Sequence, residues 1–335
     1  LHDALPICSE IVVPSMRVFR EFAVLWKLLS ARRSRNVICA RWYPEAAIAL
    51  LAGMRNITIL AHGLELRKSR RPMWGYLKKI LMKYILDNAS IVLANSAYTA
   101  QLVRHAAPGA KVIAATLAVD VTRFHPGPKE LARQRFNIGM DRFVLLTVAR
   151  VHRHKGHALI FHAIARLPAE IRENIVFMIA GIGPHMNELM QEAIRIGVSQ
   201  YVEWTGYIDE ADLPELYRCA DIFLLCSSVS DKAPEVEGFG LVLLEAQASG
   251  IPVVGTRSGG IPEAVMGNVG NIIVNNNDVM GIQKAIVWFY ENRTLLNLIG
   301  LRAREMICRH FSWPQYISRL CLALGLVVHS SAADD

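Results

Sequence analysis

The sequence predicts an α/β protein of two domains, each built on a parallel sheet. At 335 residues the chain is long for one domain and of ordinary length for two. Short apolar segments alternate with amphipathic helical segments almost throughout, which is the pattern of parallel strands joined by helical crossovers. No run approaches the roughly 18 apolar residues that a membrane-spanning helix requires.

The strand candidates are short runs rich in Val, Ile, Leu and Ala. In the first half they cover residues 37–40, 57–61, 91–94 and 111–115, and in the second half residues 143–149, 175–180, 222–226, 252–255 and 272–274. Between the halves, Pro126, Gly127 and Pro128 indicate a linker that precedes a short helix. We therefore expect domains at 1–126 and 127–311, followed by a C-terminal helix over 312–330.

The most informative segment covers residues 234–263 and carries two glutamates eight residues apart, Glu237 and Glu245. Gly238 and Gly240 let the backbone approach a ligand closely, and residues 241–248 have the composition of a buried helix. Backbone amides at the start of such a helix attract phosphate. Glu245 lies among apolar residues and needs a polar partner, which could be a ribose diol or a nearby Arg or Lys.

A second motif follows the strand candidate at 143–149. Arg150 comes directly after it, and Lys155 follows five residues later. In open α/β sheets ligands bind at the carboxyl edge, where these two cations can stabilise the negative charge of a diphosphate leaving group. The alternative is a pair of solvated surface cations.

These motifs resemble those of the retaining nucleotide-sugar glycosyltransferases of family 4, and the resemblance extends from about Val37 to Trp313. It implies the GT-B fold, in which two Rossmann-like domains face a cleft. It also implies that Glu237 contacts the donor sugar, that Glu245 holds the ribose, and that Arg150 and Lys155 stabilise the leaving group. The other donor-binding positions that it implies are Gly181, Gly183, Tyr207, Gly238, Phe239, Gly240 and Leu241.

The resemblance also bears on the first domain. His62 follows a strand candidate, and the family places such a histidine beside the reacting sugar and acceptor; a structural histidine in a turn is the alternative. Because the chain starts without Met and reaches a basic helix near Arg17 at once, we expect this domain to be incomplete. The family's C-terminal helix crosses back onto the first domain, and residues 312–330 match it.

One departure from the family lies before the linker. The chain has Leu117-Ala118-Val119-Asp120 where the family commonly has Asn-Gly before Val-Asp. A turn that usually contains glycine must therefore be built differently here.

We predict neither a metal nor a cofactor. His152, His154 and His157 crowd one loop, but no carboxylate or cysteine complements their spacing, and the sequence contains no Asp-x-Asp motif. The scattered cysteines include no Cys-x-x-Cys pair, so we interpret them as reduced thiols rather than disulfides; they are Cys8, Cys39, Cys219, Cys226, Cys308 and Cys321.

The positive charge is concentrated in the first half. Residues 1–128 hold 18 Lys and Arg against 7 Asp and Glu, whereas residues 129–335 hold 19 against 22. Basic residues alternate with apolar ones over residues 67–84, which is typical of a helix on an anionic membrane, although an ordinary helix with a solvated basic face is the alternative. The predicted membrane residues are Arg67, Lys68, Arg70, Arg71, Trp74, Lys78 and Lys79. No nucleic-acid-binding motif is present.

Together these observations predict a metal-independent, retaining hexosyltransferase at the cytoplasmic face of a membrane. Its donor would be a UDP- or GDP-sugar, and its acceptor a lipid-linked saccharide. Two alternatives remain open: a catalytically inert fragment that binds nucleotide and membrane, and a nucleotide-sugar epimerase of the GT-B fold. The sequence does not indicate the oligomeric state.

Overall fold

The computed structural model describes residues 28–29, 36–66, 72–228 and 236–325. The chain forms two compact units, Leu1–Ala115 and Thr116–Asp335. The predicted boundary after residue 126 lies further along the chain than this division, within the second unit. Each unit has its own parallel sheet, so the predicted fold class, α/β with two parallel-sheet domains, is confirmed.

The first unit contains a parallel sheet in the order β1-β2-β3-β4. Its strands are β1 (Asn36–Cys39), β2 (Asn56–Ala61), β3 (Ile91–Ala94) and β4 (Val112–Ala114). Within residues 36–66 and 72–115 its helices are α1 (Ala47–Leu51), α2 (Pro72–Asp87) and α3 (Ala97–Ala106), with a π-helical turn at Trp42–Ala46 and a 3-10 turn at Leu64–Leu66. The helix α3 begins after Ser96, whose hydroxyl accepts a hydrogen bond from the Thr99 amide at 2.9 Å.

The second unit contains a parallel sheet in the order β10-β9-β8-β5-β6-β7. Its strands are β5 (Phe143–Val148), β6 (Ile175–Ala180), β7 (Val202–Gly206), β8 (Ile222–Leu225), β9 (Val253–Thr256) and β10 (Ile272–Val274). Every predicted strand overlaps an observed one. The observed strand β7 lies outside the predicted strand ranges.

The helices of the second unit follow the strands as crossovers. They are α4 (Lys129–Arg135), α5 (His157–Ala165), α6 (Ala169–Arg172), α7 (Met186–Ile196), α8 (Leu213–Cys219), α9 (Leu241–Ala248), α10 (Ile261–Ala264), α11 (Val279–Glu291), α12 (Leu296–His310) and α13 (Trp313–Ala323). Short 3-10 turns lie at Arg153–Lys155, Ser199–Tyr201, Glu210–Asp212, Gly267–Val269 and Arg293–Leu295.

Alternate residues of β5 face the two sides of the second sheet. Phe143 and Leu145 belong to one buried apolar cluster, and Val144 and Leu146 belong to the other. This period of two is that of a strand covered by helices on both faces. The strand order reverses between β5 and β8, since β6 and β7 extend the sheet on one side and β9 and β10 on the other. Ligands of doubly wound sheets bind at such a switch point.

After the segment that departs from the family, the chain makes a turn that an aspartate side chain closes. The Asp120 Oδ1 accepts hydrogen bonds from the Thr122 amide at 2.9 Å, the Thr122 hydroxyl at 2.6 Å and the Arg123 amide at 3.0 Å. These bonds, the Thr122 hydroxyl bond first, hold the pKa of Asp120 below its ordinary value. Asp120 thus closes the turn at residues 120–123, which follows the Leu117-Ala118 segment.

Two further properties concern membranes and thiols. Within the described ranges, no helix combines the length and the apolar character that crossing a bilayer requires. The cysteines inside these ranges, namely Cys39, Cys219, Cys226, Cys308 and Cys321, are free thiols, as predicted. Cys8 lies outside the described residues.

Candidate active site

The switch point of the second sheet brings together two of the predicted catalytic residues. Lys155 follows β5 and Glu237 follows β8, and these two strands pair with each other. The Lys155 Nζ donates to the Glu237 Oε2 at 2.5 Å, and the two side chains are 17% and 16% exposed. A Lys ammonium has three N–H donors, so two remain for a further anion beside the pair.

Close packing of two loops fixes the position of Lys155. Gly156 has a φ of 78°, and a Cβ atom at this position would lie 1.8 Å from the Cys226 carbonyl oxygen. The Ser228 amide also donates to the His154 carbonyl at 2.8 Å. The loop after β5 therefore lies directly on the end of β8, and only glycine fits between them.

The backbone around Arg150 packs against the predicted glycine loop, which follows the neighbouring strand β6. Arg150 is exposed at the carboxyl end of β5. A Cβ atom on Gly181 would lie 2.0 Å from the Ala149 carbonyl oxygen, and one on Gly183 would lie 2.2 Å from the Val151 carbonyl oxygen. These close contacts explain on structural grounds why both positions are glycine. Their predicted role at the nucleotide stays a prediction.

The glycine-rich loop after β8 is supported from β9. The Gly260 amide donates to the Glu237 carbonyl at 3.0 Å. Phe239 is buried, with its ring 6.2 Å from that of Phe311, so its side chain belongs to the core and its backbone is the part that a ligand can meet. Gly240, with a φ of 95°, starts α9 at Leu241, as predicted. Gly238 lies between these residues in the same loop.

Glu245 has a partner that the sequence did not indicate. The Tyr217 hydroxyl donates to the Glu245 Oε2 at 2.6 Å, so the carboxylate is bonded to a tyrosine rather than to an Arg or Lys. Burial raises the pKa of Glu245, while the Tyr217 bond and the charge of Arg123 oppose this rise. The remaining acceptor capacity of the carboxylate is available to a ligand. The ribose-binding role stays a prediction.

Three further side chains at this edge were not predicted as site residues. His157 is fully buried beside Lys155, and neither ring nitrogen has a hydrogen-bond partner within the described part of the chain. Burial, followed by the charges of Lys155 and His154, lowers the pKa of His157 to about 3, so the ring is neutral at physiological pH. The hydroxyls of Ser227 after β8 and Ser258 after β9 are likewise buried without a partner among the described residues.

The histidines of the loop after β5 form a ring cluster with a neighbour. The ring of His152 lies 5.7 Å from that of His154 and 5.6 Å from that of His185. Over residues 28–29, 36–66, 72–228 and 236–325, no group of three His, Cys, Asp or Glu side chains is arranged to hold a metal ion. Metal independence itself stays a prediction.

The other predicted site residues belong to other strands and helices. Tyr207 follows β7 and is 67% exposed. His62 lies in the first unit, exposed after β2, and its amide donates to the Glu65 Oε1 at 2.7 Å. Lys79 is exposed on α2, and the Lys78 Nζ lies 5.9 Å from the ring centroid of Trp42. Trp74 lies within the range of α2. Four predicted membrane residues are outside the described ranges: Arg67, Lys68, Arg70 and Arg71.

Comparison with known sequences identifies a family. The pattern of the family described as glycosyl transferases group 1 matches residues 128–306. The chain is 30% identical over 293 residues to the GDP-mannose-dependent alpha-(1-6)-phosphatidylinositol monomannoside mannosyltransferase of Mycolicibacterium smegmatis, covering 85% of this chain and 75% of that one. It is 32% identical over 240 residues to D-inositol 3-phosphate glycosyltransferase 2 of Catenulispora acidiphila, covering 68% of this chain and 54% of that one.

Comparison with solved structures supports the fold. Anabaena HepE in complex with UDP superposes with a TM-score of 0.79 at 19% identity, covering 97% of this chain and 88% of that one. WaaG, a glycosyltransferase involved in lipopolysaccharide biosynthesis, superposes with a TM-score of 0.70 at 17% identity, covering 95% and 86%. These neighbours have the GT-B fold, so the predicted architecture is confirmed.

Proposed function

We propose that this chain, which belongs to the family of glycosyl transferases group 1, transfers a hexose from a nucleoside diphosphate sugar to a lipid-linked saccharide. The transfer retains the anomeric configuration of the sugar and needs no metal ion. The observation that carries the proposal is the contact between Lys155 and Glu237 at the switch point of the second sheet. This contact holds one cation and one carboxylate at the edge where such sheets bind nucleotides.

Each group of the site has a proposed role in this reaction. Lys155 and Arg150 offset the negative charge that develops on the diphosphate as the bond to the sugar breaks. Glu237, held by Lys155, orients the sugar. Glu245, held by Tyr217, accepts hydrogen bonds from the ribose hydroxyls. The acceptor hydroxyl attacks from the face that the diphosphate leaves, which retains the anomeric configuration, and His62 positions that hydroxyl.

The names of the relatives suggest which substrates to test first. The Mycolicibacterium smegmatis relative is named as GDP-mannose-dependent and as acting on a phosphatidylinositol monomannoside. We propose GDP-mannose as the donor and a phosphatidylinositol mannoside as the acceptor. UDP-sugars and other glycolipids form the comparison set.

Replacing the leaving-group cation tests the mechanism. We expect Lys155→Ala to lower kcat about a hundredfold, because one preorganised group that stabilises the departing charge is commonly worth about 10²–10³ in rate. The matched control is Arg153→Ala in the same turn: Arg153 is 64% exposed and pairs with the half-exposed Glu188. The measurement is hexose transfer by the full chain at saturating donor. A loss of less than twofold for Lys155→Ala would refute the assignment.

Two assays test the remaining parts of the reaction. Proton NMR of the product should show the same anomeric configuration as the donor, and an inverted product would contradict retention. Addition of EDTA should leave the rate unchanged, whereas a loss that Mg²⁺ or Mn²⁺ restores would contradict metal independence. Epimerisation of the donor would support the epimerase alternative, and nucleotide binding with neither transfer nor donor hydrolysis would support the inert alternative.

The helix α2 supports membrane binding on the first unit. One face of it exposes large apolar side chains at 42–68% of their surface, namely Tyr76, Leu77, Ile80, Leu81 and Tyr84. The opposite face is buried through Met82, Ile85 and Leu86. Exposed Lys79 and Lys83 border the apolar face. We propose that an anionic bilayer surface covers this face, because apolar insertion and cation attraction then act together.

Sedimentation with vesicles tests the membrane proposal. We expect Leu77→Gln with Ile80→Gln to reduce pelleting with phosphatidylglycerol vesicles about tenfold, because less apolar surface is then buried. The matched control is Leu298→Gln with Leu301→Gln, which changes two leucines of similar exposure on α12 of the second unit. Equal pelleting of the two double variants would rule out α2 as the contact.

A further inference from the structure

The second unit contains a cavity at the edge of the sheet opposite to the Lys155 and Glu237 pair. The cavity has a volume of about 420 Å³ and is lined by residues at the amino ends of strands, including Phe143, Asp221 and Pro252. Because β5 has six residues and a strand rises about 3.3 Å per residue, roughly 20 Å separates the two edges. A small ligand in this cavity would therefore occupy a site separate from the donor site.

Cations outnumber acids in the lining of the cavity. The cations are Lys129, Arg133, Arg142, Arg218 and Arg293, and the acids are Asp141 and Asp221. Lys129 and Arg133 share the single carboxylate of Asp221, at 2.8 and 2.7 Å. Arg218 pairs with Glu215. Of the remaining charged residues of the lining, Arg142 and Arg293 are cations and Asp141 is the single acid, so the lining keeps a surplus of positive charge.

Arg293 is held in place without using its hydrogen-bond donors. Its guanidinium carbon lies 3.8 Å from the ring centroid of Tyr290 and 5.2 Å from that of Phe143. In the part of the chain that the structure describes, the Arg293 side chain has neither a hydrogen bond nor an ion pair. Stacking fixes the plane of the guanidinium and leaves its donors for a ligand.

Two other groups of the lining have unused hydrogen-bonding atoms. Arg142 donates through one terminal nitrogen to the Ile175 carbonyl at 2.6 Å, but its Nε is buried with no partner among the described residues. The Oγ of Ser249, a residue 2% exposed, is also buried without a partner in the described ranges. A buried polar group without a partner costs free energy, and neither of these two atoms is exposed to the cavity, so the ligand's contacts would be made by the terminal guanidinium nitrogens.

We propose that this cavity binds a phosphorylated small molecule at a site independent of the nucleotide sugar. A phosphate group has several acceptor oxygens and suits planar guanidinium donors such as Arg293 and Arg142. The volume lies within the range of small-molecule sites. The inference depends only on the second unit and not on the proposed transfer reaction.

Equilibrium dialysis with labelled inorganic pyrophosphate tests the proposal. The full chain carrying Arg150→Ala and Lys155→Ala removes the cations of the donor site, and we expect it still to bind about one equivalent. Adding Arg293→Gln should weaken this binding at least about tenfold, because charge-assisted hydrogen bonds are lost. The matched control is Arg302→Gln, an exposed arginine of α12 outside the cavity, which should leave the affinity within twofold.

A second measurement avoids substitutions altogether. Phenylglyoxal modifies accessible arginines, and pyrophosphate should slow the modification of Arg293 in the unsubstituted chain without slowing that of Arg302, as followed by mass spectrometry. The proposal fails if the Arg150→Ala, Lys155→Ala chain binds no pyrophosphate, or if Arg293→Gln and Arg302→Gln weaken binding equally. It also fails if pyrophosphate protects neither arginine.

Discussion

The bond between Tyr217 and Glu245 is a residue-scale feature that can be tested through stability. We expect Tyr217→Phe to lower the free energy of unfolding by about 1–3 kcal/mol, because a buried hydrogen bond to a carboxyl group is lost while the ring packing against Phe124 and Phe223 is kept. Urea denaturation measures the change. Tyr207→Phe, on a tyrosine 67% exposed, is the control and should change stability by less than about 0.5 kcal/mol.

The buried histidine His157 predicts a pH dependence of stability. Its pKa falls from 6.5 to about 3 on folding, so below pH 6.5 the unfolded chain binds a proton that the folded chain does not. The contribution of the neutral His157 to the free energy of unfolding is therefore complete above pH 6.5. It is lost as the pH falls towards about 3, the pKa of His157 in the folded chain. Between pH 6.5 and 5 we expect the unsubstituted chain to lose about 2 kcal/mol more than His157→Gln does.

Urea denaturation at a series of pH values measures this difference. The control is His62→Gln, which removes an exposed histidine. We expect this control to keep the pH slope of the unsubstituted chain. Parallel slopes for the unsubstituted chain and His157→Gln would show that His157 is protonated in the folded state.

The predicted positions that the structure brings to one edge of the second sheet are those with a local signal in the sequence. Glu237, Lys155 and Gly240 stand at recognisable spacings beside strand ends, and the structure places all three at the carboxyl edge of the second sheet. Tyr217 carries no such signal, because its contact with Glu245 joins residues 28 positions apart on two different helices. Pairing of this kind depends on how the helices pack.

At the scale of secondary-structure elements, α12 packs closely on the turn that ends α9. A Cβ atom on Gly300 would lie 1.8 Å from the Gly250 carbonyl oxygen. We expect Gly300→Ala to destabilise the protein by about 1–3 kcal/mol, because overpacking outweighs the better helix propensity of Ala. Thermal unfolding measures the change. Gly267→Ala, where a Cβ atom meets nothing within 4 Å, is the control, and an equal effect would contradict the contact.

The strand β7 shows which kind of strand the sequence pattern does not reveal. Its sequence, Val-Glu-Trp-Thr-Gly, contains no continuous apolar run, because β7 is at the edge of the sheet and is mostly half-buried. The central strands β5 and β8 are buried on both faces and were predicted closely. Burial on both faces is what makes a strand recognisable in the sequence.

At the scale of the whole molecule, the two halves differ in charge. The excess of Lys and Arg in residues 1–128 predicts that binding to anionic vesicles weakens with salt. Raising NaCl from about 0.05 to 0.5 M should release most of the bound chain, since the screening length then falls from about 14 Å to about 4 Å. Sedimentation measures the release. Binding that is independent of salt, or equal on phosphatidylcholine vesicles, would contradict an electrostatic contribution.

The sequence alone determined the class of the fold, most strands, the helix after Gly240 and the family, because these depend on periodicity and on motifs that are local in the chain. Only the tertiary structure decided that Lys155 meets Glu237, that Tyr217 holds Glu245 and that His157 is buried and neutral. It alone also revealed the basic cavity around Arg293. Such features arise where separate strands and helices converge, and burial and distance exist only once the chain has folded.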